Sequence, residues 1–62
     1  MKVRDVIKRL EADGWYLDRM RGSHRQYKHS DRPDLVTVPG HPSDDLPTGT
    51  YANIRRHAGW EN

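Results

Sequence analysis

Val3, Val6, Ile7 and Leu10 stand at i, i+3, i+4 and i+7, the spacing that gathers apolar side chains on one face of a helix. Asp5 and Arg9 form a favourable i, i+4 pair elsewhere on its surface, and Gly14 is a C-cap candidate. The spacing predicts a helix over residues 2–13. Trp15 to Arg21 then carries Trp15, Tyr16, Leu17 and Met20, and its aromatic residues favour a pleated surface. Gly22-Ser23 reads as a turn, His24 to His29 as a second strand, and Ser30 to Asp34 as another turn containing Pro33. Leu35 to Val38 is a short β-branched run that Pro39 ends. Two hairpins in succession predict a three-stranded antiparallel meander.

Gly40 to Thr48 reads as a loop with Pro42 and Pro47, in which Ser43, Asp44 and Asp45 start a turn of helix and Leu46 drops into the core. Thr48 is a natural N-cap. Tyr51, Ile54 and Ala58 line one face of a second helix that ends at Gly59, and Trp60 folds back over the core. The predicted fold is α+β: helix, three-stranded antiparallel sheet, helix, in a single domain over residues 1–62. A helix face and a sheet face each need an apolar partner, so both helices are expected on one side of the sheet. The other side then belongs to solvent.

Composition tightens this reading. A chain of 62 residues buries only about 60% of its unfolded surface, which leaves a thin margin of stability. With no cysteine, neither a disulfide nor a thiolate zinc site can reinforce it. Leu, Ile, Val and Phe together number ten, a low count that raises the question of disorder. Eleven basic against nine acidic residues leave only +2, so the strong net charge of disordered chains is missing. No apolar stretch resembles a signal peptide or a membrane span. A cytoplasmic protein without membrane contact is expected.

Charge distribution matters more than its total. Arg19 to Arg32 holds five basic residues and one acidic, +4, whereas Pro33 to Thr50 holds three aspartates and no lysine or arginine. The basic stretch, interleaved with His24, Gln26, Tyr27 and His29, suits a phosphate-binding surface. A solvated strand pair with long side chains is the plainer alternative.

Gly22-Ser23-His24 puts a histidine at the start of a strand, between Arg21 and Arg25. Imidazole exchanges a proton near neutral pH, and RNA brings its own nucleophile, the 2′-hydroxyl. Cleavage needs only an acid or base plus positive charge at the phosphorane. His24 can supply the first; Arg25, Lys28 and Ser23 the second. From the residues alone a lesser role, in which His24 caps the turn or only binds phosphate, stays open. Strand alternation puts His24, Gln26 and Lys28 on one face and Arg25, Tyr27 and His29 on the other. Tyr27 is the apolar anchor, so the His24 face should look outward unless a bulge re-phases it. The histidines at 24, 29, 41 and 57 form no i, i+3 or i, i+4 pair, which argues against a metal site. A serine-type triad has little support in so small a domain. His41 either approaches the His24 face or satisfies its own loop. Arg55, Arg56 and His57 suit the C-terminal end of a helix dipole.

The motif Gly22-Ser23-His24-Arg25-Gln26-Tyr27, behind Ala12-Asp13-Gly14-Trp15, resembles the HicA (YcfA-like) toxins. Val36-Thr37-Val38-Pro39, His41, and Gly49-Thr50 ahead of Ile54 continue the likeness, which spans Val3 to Trp60. The resemblance implies a fold like that of double-stranded-RNA-binding domains. It also implies an mRNA interferase without metal or cofactor, with His24 catalytic. Arg21, Ser23, Arg25, Gln26 and Lys28 are the expected RNA contacts. A HicB-type antitoxin that covers the histidine is the implied partner. A non-catalytic RNA-binding module and a merely basic interaction protein are the alternatives. Asp44-Asp45 makes the second loop more acidic than an RNA binder requires.

Overall fold

The structure, a computed structural model, describes residues 1–60. Helix α1 (Val3–Ala12) leads into strands β1 (Tyr16–Arg21), β2 (His24–His29) and β3 (Arg32–Val38), and helix α2 (Thr48–Ala58) follows. The strands form one antiparallel sheet in the order β1-β2-β3. No described helix is long and apolar enough to cross a membrane.

The core forms because three periodicities meet. Val3, Val6 and Leu10 come from α1, Ile54 and Ala58 from α2, and Tyr27, Val36 and Val38 from one face of the sheet. Trp15, Leu46 and Trp60 close it, all at 8% exposure or less. Each fully buried aliphatic side chain contributes about 1.5–3 kcal/mol. As expected, both helices cover the same side of the sheet.

The helix ends are held by distant chain. The first N–H groups of a helix have no partner within it. Here Val3 N–H donates to the Asp44 carbonyl at 2.9 Å and Arg4 N–H to the Pro42 carbonyl at 3.0 Å. Lys2 pairs with Asp45 in an isolated bridge, and its ammonium lies 3.5 Å from that carboxylate. The acidic loop thus caps α1 and does not form the helical turn expected at Ser43–Asp45. At the other end Gly14, at φ +96°, turns the chain into β1. Its missing Cβ leaves room for the His29 ring, which a methyl group there would meet at 2.9 Å. His29 Nδ1 accepts from Asp31 N–H at 3.0 Å, so Nε2 carries the proton and donates to the Asp13 carbonyl at 2.8 Å. Trp60 folds back as expected: its indole N–H donates to Asp13 Oδ2, and the Arg9 guanidinium lies 4.2 Å from its ring centre.

Three further local features are not what the sequence alone suggests. Strand β3 begins at Arg32, inside the expected Ser30–Asp34 turn, so only Ser30 and Asp31 make the reversal. Pro33 is accommodated because β3 is an edge strand whose register slips between the Tyr27–Val36 and His29–Arg32 pairs. Second, Asp18 is an extra residue in β1, where the pairing passes from Leu17–Tyr27 to Arg19–Gln26. Third, Thr48 is not the cap of α2. Pro47 occupies that position without a side-chain bond, and its carbonyl accepts from Tyr51 N–H at 3.0 Å.

Candidate nucleic-acid interface

The β1–β2 hairpin is built on the two-residue turn Gly22-Ser23. Gly22 has φ +57°, the left-handed backbone that a tight hairpin requires at its first central residue. That turn fixes the register: Arg21 faces His24, Met20 faces Arg25, and Arg19 faces Gln26. Across the next ladder Gln26 faces Thr37. Cross-strand partners share a side of the sheet. Arg19, Arg21, His24, Gln26 and Thr37 therefore rise together from the face away from the helices, where they line a shallow, open depression of about 200 Å³.

His24 lines this depression and is exposed. The guanidinium groups of Arg19 and Arg21 have no ion pair among the described residues, so their charge is available to an anion. Lys28 is on the same face further along β2, 3.8 Å from the Asp18 carboxylate. Ser23 sits in the turn and does not line the depression.

Arg25 is turned the other way. It is part-buried and donates through Nη1 to the Gly40 carbonyl at 3.0 Å, which ties β2 to the loop behind β3. Alternate residues of β2 thus divide as strand parity predicts, with Arg25, Tyr27 and His29 on the helix side. Burial, and then the negative charge of Glu11, push the Tyr27 hydroxyl above its ordinary range, opposed by Arg25. His41 does not line the depression; its backbone N–H donates to Asp44 Oδ2 at 2.9 Å. At the far helix end Arg56 donates to Asn53 Oδ1 at 2.7 Å, and the Arg55 guanidinium lies 5.3 Å from the Tyr51 ring centre.

Two lining residues stand outside the expected RNA contacts: Arg19, which the sequence reading includes only in the basic stretch, and Thr37. Counting register outward from a two-residue turn would have found Arg19 opposite Gln26. Thr37 needs the β2–β3 register, which the slip at Pro33 conceals.

A family model described as the HicA toxin of bacterial toxin-antitoxin matches residues 3–60. The chain belongs to the HicA toxin family. Comparison with curated proteins finds no match. The match covers every element from α1 to Trp60, and so includes the hairpin that carries His24. This HicA toxin is one half of a toxin–antitoxin pair, and its family membership implies an antitoxin that neutralises it. Among the described residues no three of His, Asp and Glu gather as a metal site would require.

Proposed function

We propose that this HicA toxin is a cytoplasmic endoribonuclease that cleaves messenger RNA without a metal ion, with His24 as its acid–base residue. The observation that carries the reading is an exposed imidazole beside two guanidinium groups that have no ion pair among the described residues, on one open sheet face. In such a reaction the 2′-oxygen of RNA attacks the adjacent phosphorus and the bond to the 5′-oxygen breaks. The products are a 2′,3′-cyclic phosphate and a 5′-hydroxyl end. Imidazole can take the 2′-hydroxyl proton or give one to the departing 5′-oxygen. Arg19 and Arg21 meet the charge that gathers on the phosphorane, Gln26 and Thr37 offer hydrogen bonds to the sugar–phosphate chain, and Lys28 extends the cationic track. Arg25 positions the Gly40 loop and does not contact RNA. A HicB-type antitoxin is the partner this reading expects.

His24→Ala is the decisive variant. Because the ring is exposed, the fold and the affinity for RNA should persist while cleavage falls by a factor on the order of 10² to 10⁴. Cleavage of a fluorescent transcript, measured with and without EDTA, reads the outcome. Undiminished cleavage by the variant, or its loss in EDTA, overturns the assignment. A wild-type protein that binds RNA with a steep salt dependence yet never cuts would instead be a non-catalytic RNA-binding module.

A further inference from the structure

The outer edge of β1 is open. The sheet order leaves β1 with a neighbour on one side only, and among the described residues no backbone bond from outside β2 reaches residues 16–21. Such an edge is a template for another strand. The opposite edge differs, because β3 carries Pro33, which cannot donate.

The two sides of β1 have contrasting chemistry. Leu17 and Met20 pair with Tyr27 and Arg25 and so lie on the helix side. They remain 48% and 50% exposed, because the helices stop short of this strand. Arg19 and Arg21 lie on the other side, in the depression with His24. The bulge at Asp18 lets one short strand present apolar groups to one side and guanidinium groups to the other.

We propose that β1 is the docking edge for an extended segment of the antitoxin that alternates apolar and acidic side chains. Its apolar residues continue the core over Leu17 and Met20, and its carboxylates enter the depression against Arg19 and Arg21. A second copy of this chain is disfavoured there, since edge-to-edge pairing would set arginines against arginines. The bulge and charges that discourage indiscriminate pairing select a strand of complementary charge. The segment would regulate the site by occupying the cations that a phosphate needs. Only this regulatory half rests on the RNA-cleavage reading; the strand addition does not.

Amide hydrogen exchange of the whole toxin tests the addition without RNA. The probes are a synthetic peptide alternating glutamate with valine, the same peptide with lysine for glutamate, and the antitoxin that neutralises the toxin on co-expression. The acidic peptide and the antitoxin should both slow exchange within residues 16–21, and the lysine peptide should not. Arg19→Glu should weaken the acidic peptide by roughly fivefold or more, and Leu17→Asp should weaken it while leaving RNA affinity intact. Protection confined to the helices or β3, or equal binding of both peptides, overturns the docking. Protection of β1 without any partner, together with dimerisation in sedimentation, assigns the edge to a second copy and also overturns it. Displacement of a 2′-deoxy-substituted, uncleavable RNA by the bound peptide supports the regulatory half. Simultaneous binding of both overturns that half alone.

Discussion

The two faces of β2 take three of its six residues each and use them in opposite ways. On the helix side Arg25 is committed to the Gly40 carbonyl, Tyr27 to the core, and His29 to the chain on either side of it. On the open side His24, Gln26 and Lys28 stand with Arg19, Arg21 and Thr37 around a surface that the fold itself leaves unfilled. Residues of similar chemistry on one hairpin, such as His24 and His29 or Arg21 and Arg25, therefore have unrelated surroundings. A basic residue near the histidine faces the depression only if its strand parity agrees. The sum of local charge is blind to this, because it credits Arg25 and Arg21 alike.

Substitutions can break the contrast, beginning with the helix side. Leu10→Ala, at a fully buried position, should cost about 2–5 kcal/mol. A domain of this size holds only several kcal/mol in total, so urea or thermal unfolding should find the variant largely unfolded. A small loss would mean that the core is looser than described. Next is the arginine pair. Arg25→Ala should lower stability by about 1 kcal/mol through its lost hydrogen bond while leaving the salt dependence of RNA binding alone. Arg19→Ala should do the reverse, reducing the slope of log affinity against log salt by about one without moving the melting temperature. An exchange of these two phenotypes would refute the division of faces.

The smallest effect concerns Tyr27. Its hydroxyl is raised in the folded state, so above the ordinary tyrosine range the unfolded chain releases this proton more readily than the folded one. The associated stability is complete below that range and fades as pH climbs through the folded-state value. Tyr27→Phe should therefore flatten the alkaline limb of a stability–pH curve and change little at neutral pH. An unaltered alkaline limb would place the titration elsewhere.

Much of this is legible in the sequence. The i, i+3, i+4, i+7 run forced α1, the hairpin signals gave the meander, and Tyr27 as anchor fixed which way His24 points. Tertiary partners concealed the rest. Pro33 looks like a turn residue and is tolerated because it lies on an edge. Thr48 looks like a cap, yet Pro47 and the core settle where α2 starts. Ser43, Asp44 and Asp45 look like the start of a helical turn, but the aspartates serve the N-terminus of α1, a contact that no local pattern announces. Arg19 is legible through turn register, because it lies on the turn side of the bulge at Asp18.

That capping arrangement bears on how the toxin is made. A ribosome delivers α1 before the groups that complete it: the acceptors for Val3 and Arg4 lie at Asp44 and Pro42, and the indole that anchors Asp13 is Trp60. A nascent chain that already includes the His24 hairpin still lacks the groups that complete its first helix. Synthesis from one end thus leaves an interval in which the hairpin exists without a finished scaffold behind it. Helix α1 is made before the chain that completes it.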